Sequence, residues 1–294
     1  KQFSSNDENW MVEFPPMPSG GPYTLKAVFD EETVVLENIY LGKVLLCAGQ
    51  SNMQFKLKEA NKPEEGVTAN QKLRMFVTNR IEKNERFTPE DGWIVADEEN
   101  IGDWSAIGYF VADKIAKRDG VAVGIIGCYQ GASMIESWVP AGTYQKAGIE
   151  IPDLEKHPDY KNPIYSAWNG DGQLYEYSFK EVFPFSVSEV IWYQGESNSR
   201  LGSEEKYANM LALLIDVWRS DLKNPALPFK IVQIADYDYR NDEGWRKIQK
   251  AQLMIQELRD NVTTVICADI SETNDIHPPT KHILAERIVK VIEK

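Results

Sequence analysis

Leu41-Gly42-Lys43-Val44-Leu45-Leu46-Cys47-Ala48-Gly49-Gln50-Ser51-Asn52-Met53 is the stretch from which the fold can be read. Its aliphatic run shows no alternation with polar residues, the pattern of a strand covered on both faces. The run stops at a glycine and gives way to short polar side chains. A serine therefore lies just past the carboxyl end of a buried strand, where open α/β sheets place their ligands. Similar β-branched apolar runs recur at 73–77, 121–127, 187–193, 229–234 and 262–268. Segments of helical period lie between several of them, at about 106–118, 204–221, 245–259 and 281–292. In the clearest, Tyr207, Met210, Leu211, Leu214 and Trp218 share one face. Ser203 is its expected cap, and Glu204 and Glu205 suit the positive end of its dipole. Strands alternating with helices predict an α/β domain, a parallel sheet with helices on both faces.

The composition agrees with a folded enzyme-sized chain. Of 294 residues, 43% are hydrophobic and 26% charged, which excludes a disordered, collagen-like or coiled-coil protein. The net charge of −13 repels phosphate backbones and anionic lipid, so neither nucleic acid nor a membrane surface is an expected partner. No apolar run reaches 18 residues, so no helix is expected to span a bilayer. The first residue is Lys1 rather than Met, from which we expect an upstream segment removed and a secreted or periplasmic protein. Cys47, Cys128 and Cys267 each lie in or beside an apolar run and read as small buried hydrophobes. With three histidines and neither a CxxC nor an HExxH motif, no metal site is expected.

Two regions break the strand and helix alternation. Residues 1–40 hold two strand-like runs and read as an N-terminal β appendage to a main domain at 41–294. Phe29, Val34, Val35, Leu36 and Ile39 make it too apolar for a free arm, so it is expected to pack on the main domain. Residues 140–182 are rich in Pro, Gly, Tyr and Asp, and an insertion of that length is expected near the functional site.

Four strand ends carry candidate chemistry. Ser51 follows the first strand; a helical turn there would aim its backbone N–H at a developing oxyanion. Position 53 is Met, so this is not the GxSxG elbow of α/β hydrolases. Gln194-Gly195-Glu196-Ser197-Asn198 follows the run at 187–193, and Gly127-Cys128-Tyr129-Gln130-Gly131-Ala132-Ser133 ends another. Asp275-Ile276-His277-Pro278-Pro279 precedes the last helix, and a histidine is the usual base for activating a serine hydroxyl. Each loop alone reads more simply as a polar turn. Together they bring nucleophile, base, acid and amide donors to one sheet edge. Trp138, Tyr165, Trp168, Tyr175 and Tyr177 are candidate sugar-stacking rings, with burial in the core as the plainer reading.

The blocks LLCAGQSNMQF, GASMIESW, VIWYQGESN and DIHP resemble those of the SGNH hydrolases and, in this combination, the sialate O-acetylesterase family. WSAIGYFVADKI is similar to another of that family's segments, so the resemblance runs from about Tyr40 to the C-terminus. It implies a three-layer α/β/α sandwich with a flavodoxin-like parallel sheet, and hydrolysis of acetyl esters on sugars with no cofactor. It implies Ser51 as nucleophile and His277 as base, with oxyanion donors from the Ser51 N–H, Gly131, and Asn198 or Gln194. The acid is less settled. The superfamily's usual position, three residues before the histidine, holds Asn274, and Asp275 is two before it. Asp275 turned inward, Glu196, or a backbone carbonyl could each support the imidazole. The implied substrate is an acetylated carbohydrate, sialic acid first, with acetylxylan or another polysaccharide as the alternative and a non-catalytic carbohydrate-binding domain as a second. The oligomeric state is left open.

Overall fold

The computed structural model describes residues 12, 14–29, 32–81, 86–200, 202–240 and 242–293. Lys1, where the expectation of upstream processing rested, lies outside them. The chain divides into two units, Lys1–Gly42 and Lys43–Lys294.

In the first unit, β1 (Gly20–Phe29) and the opening half of β2 (Glu32–Gly49) form an antiparallel hairpin, with Lys26 opposite Val35 and Leu25 opposite Leu36. The two strand-like runs are thus paired strands. Within this hairpin Val34, Val35 and Leu36 are 48%, 49% and 52% exposed, and the side chain of Phe29 lies outside the described residues. The physical reason is that a two-stranded ribbon has no layer of its own to shield either face.

The second unit is built on a sheet of β3 (Leu73–Val77), β4 (Ile94–Val95), β5 (Ala122–Tyr129), β6 (Glu189–Tyr193), β7 (Phe229–Val232), β8 (Val262–Val265) and the closing half of β2. The strands lie in the order β4-β3-β5-β2-β6-β7-β8. β3 with β5, β2 with β6, β6 with β7 and β7 with β8 run parallel; β4 is an antiparallel edge on β3. The chain leaves β2, fills one side with β3 and β5, then crosses to the other for β6, β7 and β8. β2 is therefore the topological switch, and its carboxyl end faces the crevice that such a switch opens. The layered parallel sheet is the expected one; its detail is that β5, not β3, neighbours β2.

Side-chain alternation sorts the strands between two cores. Leu45, Cys47, Met75, Ile125 and Ile191 face one, with helices Ala106–Asp119 and Lys281–Val291; Leu46, Ala48, Ile126, Val190 and Trp192 face the other, with helices Tyr207–Asp221 and Glu243–Leu258. The helices form where their caps and apolar faces direct. The Ser105 hydroxyl accepts from Gly108 N–H at 3.1 Å, Gly120 closes the same helix in a left-handed conformation, and Asp242 accepts from Trp245 N–H at 2.9 Å. Ser203 does not cap its helix: the helix starts at Tyr207, and the Ser203 hydroxyl accepts from Asn198 Nδ2 at 3.2 Å instead. All three cysteines are buried and unpaired, and burial pushes the Cys47 and Cys128 thiols up to about 12. Among the described residues no helix is long and apolar enough to cross a membrane.

Residues 140–182 form short helical turns that belong to the second core through Tyr144, Trp168, Leu174, Tyr175, Phe179 and Val182. Phe179 stacks on Trp218 at 4.0 Å between ring centroids, Trp138 and Trp192 meet Trp218 edge-on, and Trp218 Nε1 donates to the Trp138 carbonyl at 2.9 Å. Trp218→Ala removes the ring that all three share. We expect a loss of about 3–5 kcal/mol, the range for deleting a buried aromatic, read as a lower denaturant midpoint; a loss under about 1 kcal/mol would mean the insertion is not held this way.

Candidate active site

Gly49 decides where the serine turn sits. Its φ is +135°, and a β-carbon there would stand 2.1 Å from the Tyr193 carbonyl oxygen. Lacking one, the backbone comes close enough for Gln50 N–H to donate to that oxygen at 3.0 Å, while Gln130 N–H donates to the Gly49 carbonyl at 3.1 Å. The turn after β2 is thereby tied to the ends of β6 and β5. Gln50 adds a buried knot: its Oε1 accepts from Gln194 Nε2 and from the N–H groups of Gly195 and Ser197 at 3.2–3.3 Å.

The helical turn Ser51–Gln54 follows. Ser51 Oγ lies 2.7 Å from His277 Nε2, so two residues 226 apart in sequence meet at hydrogen-bond distance. His277 is pushed below the usual histidine value, first by burial and then by the Lys281 ammonium, and is opposed by Asp275 and Glu59. Burial and the ammonium both favour the neutral ring, the form that can take a proton from a hydroxyl. Among the described residues no acceptor takes the Ser51 backbone N–H.

The two carboxylates are placed away from the ring. Asp275 is exposed, and its Oδ1 accepts from the backbone N–H of His277 at 2.8 Å. Glu196 is buried, and its Oε1 accepts from Asn52 Nδ2 at 2.6 Å, with the carboxyl pushed up by burial. Neither meets the imidazole, and among the described residues no carbonyl takes its second nitrogen. None of the three expected supports for His277 is made directly.

The expected oxyanion donors also differ. Gly131 N–H is at the site but donates to Gln54 Oε1 at 2.7 Å. Asn198 and Gln194 are fully buried with their amide hydrogens engaged. Asn198 Nδ2 donates to Glu136 at 2.8 Å and Ser203 at 3.2 Å; Gln194 Nε2 donates to the Ser133 carbonyl at 2.9 Å and Asn198 Oδ1 at 2.8 Å. These amides hold the second and third blocks together and have no hydrogen left for a substrate. Around them, burial pushes Glu136 up to about 6.

Trp138, Tyr165, Trp168 and Tyr175 are buried, which leaves Tyr177 as the exposed ring of the five proposed for stacking. A ring the sequence reading passed over is Tyr239, 76% exposed. Its turn is held between the histidine and third-block loops: Asp238 N–H donates to the Thr273 carbonyl at 2.8 Å, and Arg240 Nη2 donates to Ser199 Oγ at 2.9 Å. Asn52 and Lys281 were also passed over, since an Asn in a turn and a Lys opening a helix carry no signal by themselves. Among the described residues no group of three His, Cys, Asp or Glu side chains could hold a metal ion.

Because Asp275 raises the His277 value without touching the ring, Asp275→Asn should shift the acidic limb of kcat/KM for an acetyl ester to lower pH. The plateau should fall less than about tenfold, against up to about 10⁴ for a triad acid. A loss above about a thousandfold would restore Asp275 to that role.

This geometry can be set beside known proteins. The chain is 24% identical to the mouse and human proteins named sialate O-acetylesterase, over 95% and 97% of its own length and 62% and 60% of theirs. It therefore spans about three fifths of these relatives. A solved carbohydrate acetylesterase from Xanthomonas citri matches with a TM-score of 0.80 and 28% identity, over 95% of this chain and 62% of that one. An Arabidopsis thaliana protein shares the fold, with a TM-score of 0.57, 19% identity, and 85% and 96% covered. The family model for "Carbohydrate esterase, sialic acid-specific acetylesterase" matches residues 41–291, a span that takes in all four candidate loops, and by that match the chain belongs to this family.

Proposed function

We propose that this chain is a serine esterase that removes O-acetyl groups from carbohydrates through an acetyl-serine intermediate. The observation that carries the reading is the 2.7 Å contact between Ser51 Oγ and His277 Nε2 at the switch point of the sheet. Ser51 Oγ attacks the acetyl carbonyl carbon as His277 Nε2 takes its proton. The Ser51 N–H, at the start of a helical turn, donates to the oxygen that becomes negative. The tetrahedral species collapses, the bond to the sugar oxygen breaks, and His277 returns the proton to that oxygen. Water then gives a proton to His277 and attacks the acetyl-serine; acetate leaves as the proton returns to Ser51.

An O-acetyl sialic acid is the first substrate in this reading. The names of the curated relatives support it; the net charge of −13 bears only on polyanions, which it disfavours.

Ser51→Ala should abolish hydrolysis of O-acetylated sialic acids, with a loss of at least about 10³ in kcat and an unchanged melting temperature. Near wild-type turnover by that variant would remove Ser51 from the chemistry. A wild-type preference for acetylated xylo-oligosaccharides over every acetylated sialic acid would keep the mechanism and change the substrate.

A further inference from the structure

Lys281 is a buried cation that this chemistry does not use. It opens the helix Lys281–Val291, is 1% exposed, and carries its ammonium 5.2 Å from the Phe55 ring centroid and 5.1 Å from that of Tyr193. Both features are unfavourable in themselves, since burial strips a lysine of water and a helix N-terminus repels positive charge. Among the described residues no carboxylate lies within 4.0 Å of its Nζ. What it meets is Asn52, the residue after Ser51: Nζ donates to Asn52 Oδ1 at 2.5 Å.

That contact sets the orientation of an amide. An ammonium can only donate, so the Asn52 oxygen must face Lys281 and its NH₂ must face the other way. The two amide hydrogens then go to Glu196 Oε1 at 2.6 Å and to the carbonyl of Ile276 at 2.9 Å. Ile276 immediately precedes His277. Two adjacent residues of the serine turn therefore hold two adjacent residues of the histidine loop, Ser51 to the imidazole and Asn52 to the peptide before it. The same two acceptors exclude the rotated amide, so removing Lys281 would leave the Asn52 oxygen buried without its donor and one side of the amide unheld.

We propose that Lys281, Asn52 and Glu196 form a clamp that positions His277 through its backbone, in a site where no carboxylate among the described residues meets the imidazole. The proposal rests on the esterase reading above. Lys281 is a positioning residue that touches neither substrate nor the reacting atoms. It has a second, electrostatic consequence. The charged groups facing His277 are Lys281, which favours the neutral ring, and Asp275 and Glu59, which favour the charged one. Those facing Lys281 are Glu196, Glu272, Asp275 and the Cys267 thiol, and burial brings the lysine down to about 8. Lys281 is thus mainly protonated at neutral pH, and its loss leaves Asp275 and Glu59 opposed at the ring by burial alone.

The test is hydrolysis of p-nitrophenyl acetate by the full chain and by Ser51→Ala, Lys281→Met, Asn52→Asp and the Lys281→Met/Asn52→Asp double variant, each checked by thermal melting. Asn52→Asp keeps an acceptor for Lys281 but loses the hydrogens for Glu196 and Ile276, so it breaks the clamp without removing the buried cation. We expect each single variant to lose about a hundredfold in kcat, the size of effect of a slight misplacement, with KM within about threefold. The double variant should be no slower than the slower single, because both changes open one clamp. Lys281→Met should also move the acidic limb of the rate profile to higher pH. A lysine that only supports the fold would lower the melting temperature and leave the limb in place, and that result overturns the proposal. So does a double variant whose losses multiply. Full activity in Ser51→Ala would instead overturn the esterase reading, whereas an inactive Ser51→Ala beside a near wild-type Lys281→Met defeats the clamp alone.

Discussion

Gln50 N–H reaches the Tyr193 carbonyl at 3.0 Å only because residue 49 has no side chain, and the candidate site depends on that contact. It ties the turn after the central strand to its neighbour's end, and the Gln50 side chain then gathers Gly195 and Ser197 beneath it. A hydroxyl on a free loop would sample many directions; here Ser51 leaves a turn anchored to both adjacent strands. The histidine arrives from beyond β8, at the far end of the sheet, and needs an anchor of its own. Asn52 supplies one through the Ile276 carbonyl.

Much of the fold was legible because parallel strands buried on both faces read as uninterrupted aliphatic runs, and the runs at 73–77 and 187–193 end where β3 and β6 end. Boundaries set by tertiary contacts were less visible. The strand read from residue 41 begins at Glu32, since a hairpin partner extends it, and the helix read from 204 begins at Tyr207, since Ser203 is engaged by Asn198. The two-residue strand Ile94–Val95 is too short for any periodicity to show.

The site was legible in part. Ser51 and His277 stood out as candidates because each follows a strand in a polar loop, the family resemblance gave them their expected roles, and the two side chains meet. The roles of Gln194, Asn198, Glu196 and Asp275 were not, because side-chain chemistry is the same whether an amide faces a cavity or a buried neighbour. Burial decides: with 0% exposure, the amides of Gln194 and Asn198 are part of the scaffold. Lys281 was invisible for the opposite reason, since a lysine near a helix start is ordinarily solvated.

An acetyl-serine mechanism requires a covalent intermediate at one oxygen atom, Ser51 Oγ. Rapid quenching of the wild-type chain during turnover of an acetyl ester, followed by mass spectrometry of the tryptic peptide between Lys43 and Lys56, measures it directly. One acetyl group is expected on Ser51, formed and lost at rates consistent with turnover and absent when His277 is replaced by alanine. Release of acetate at the full rate with Ser51 never acetylated would contradict it.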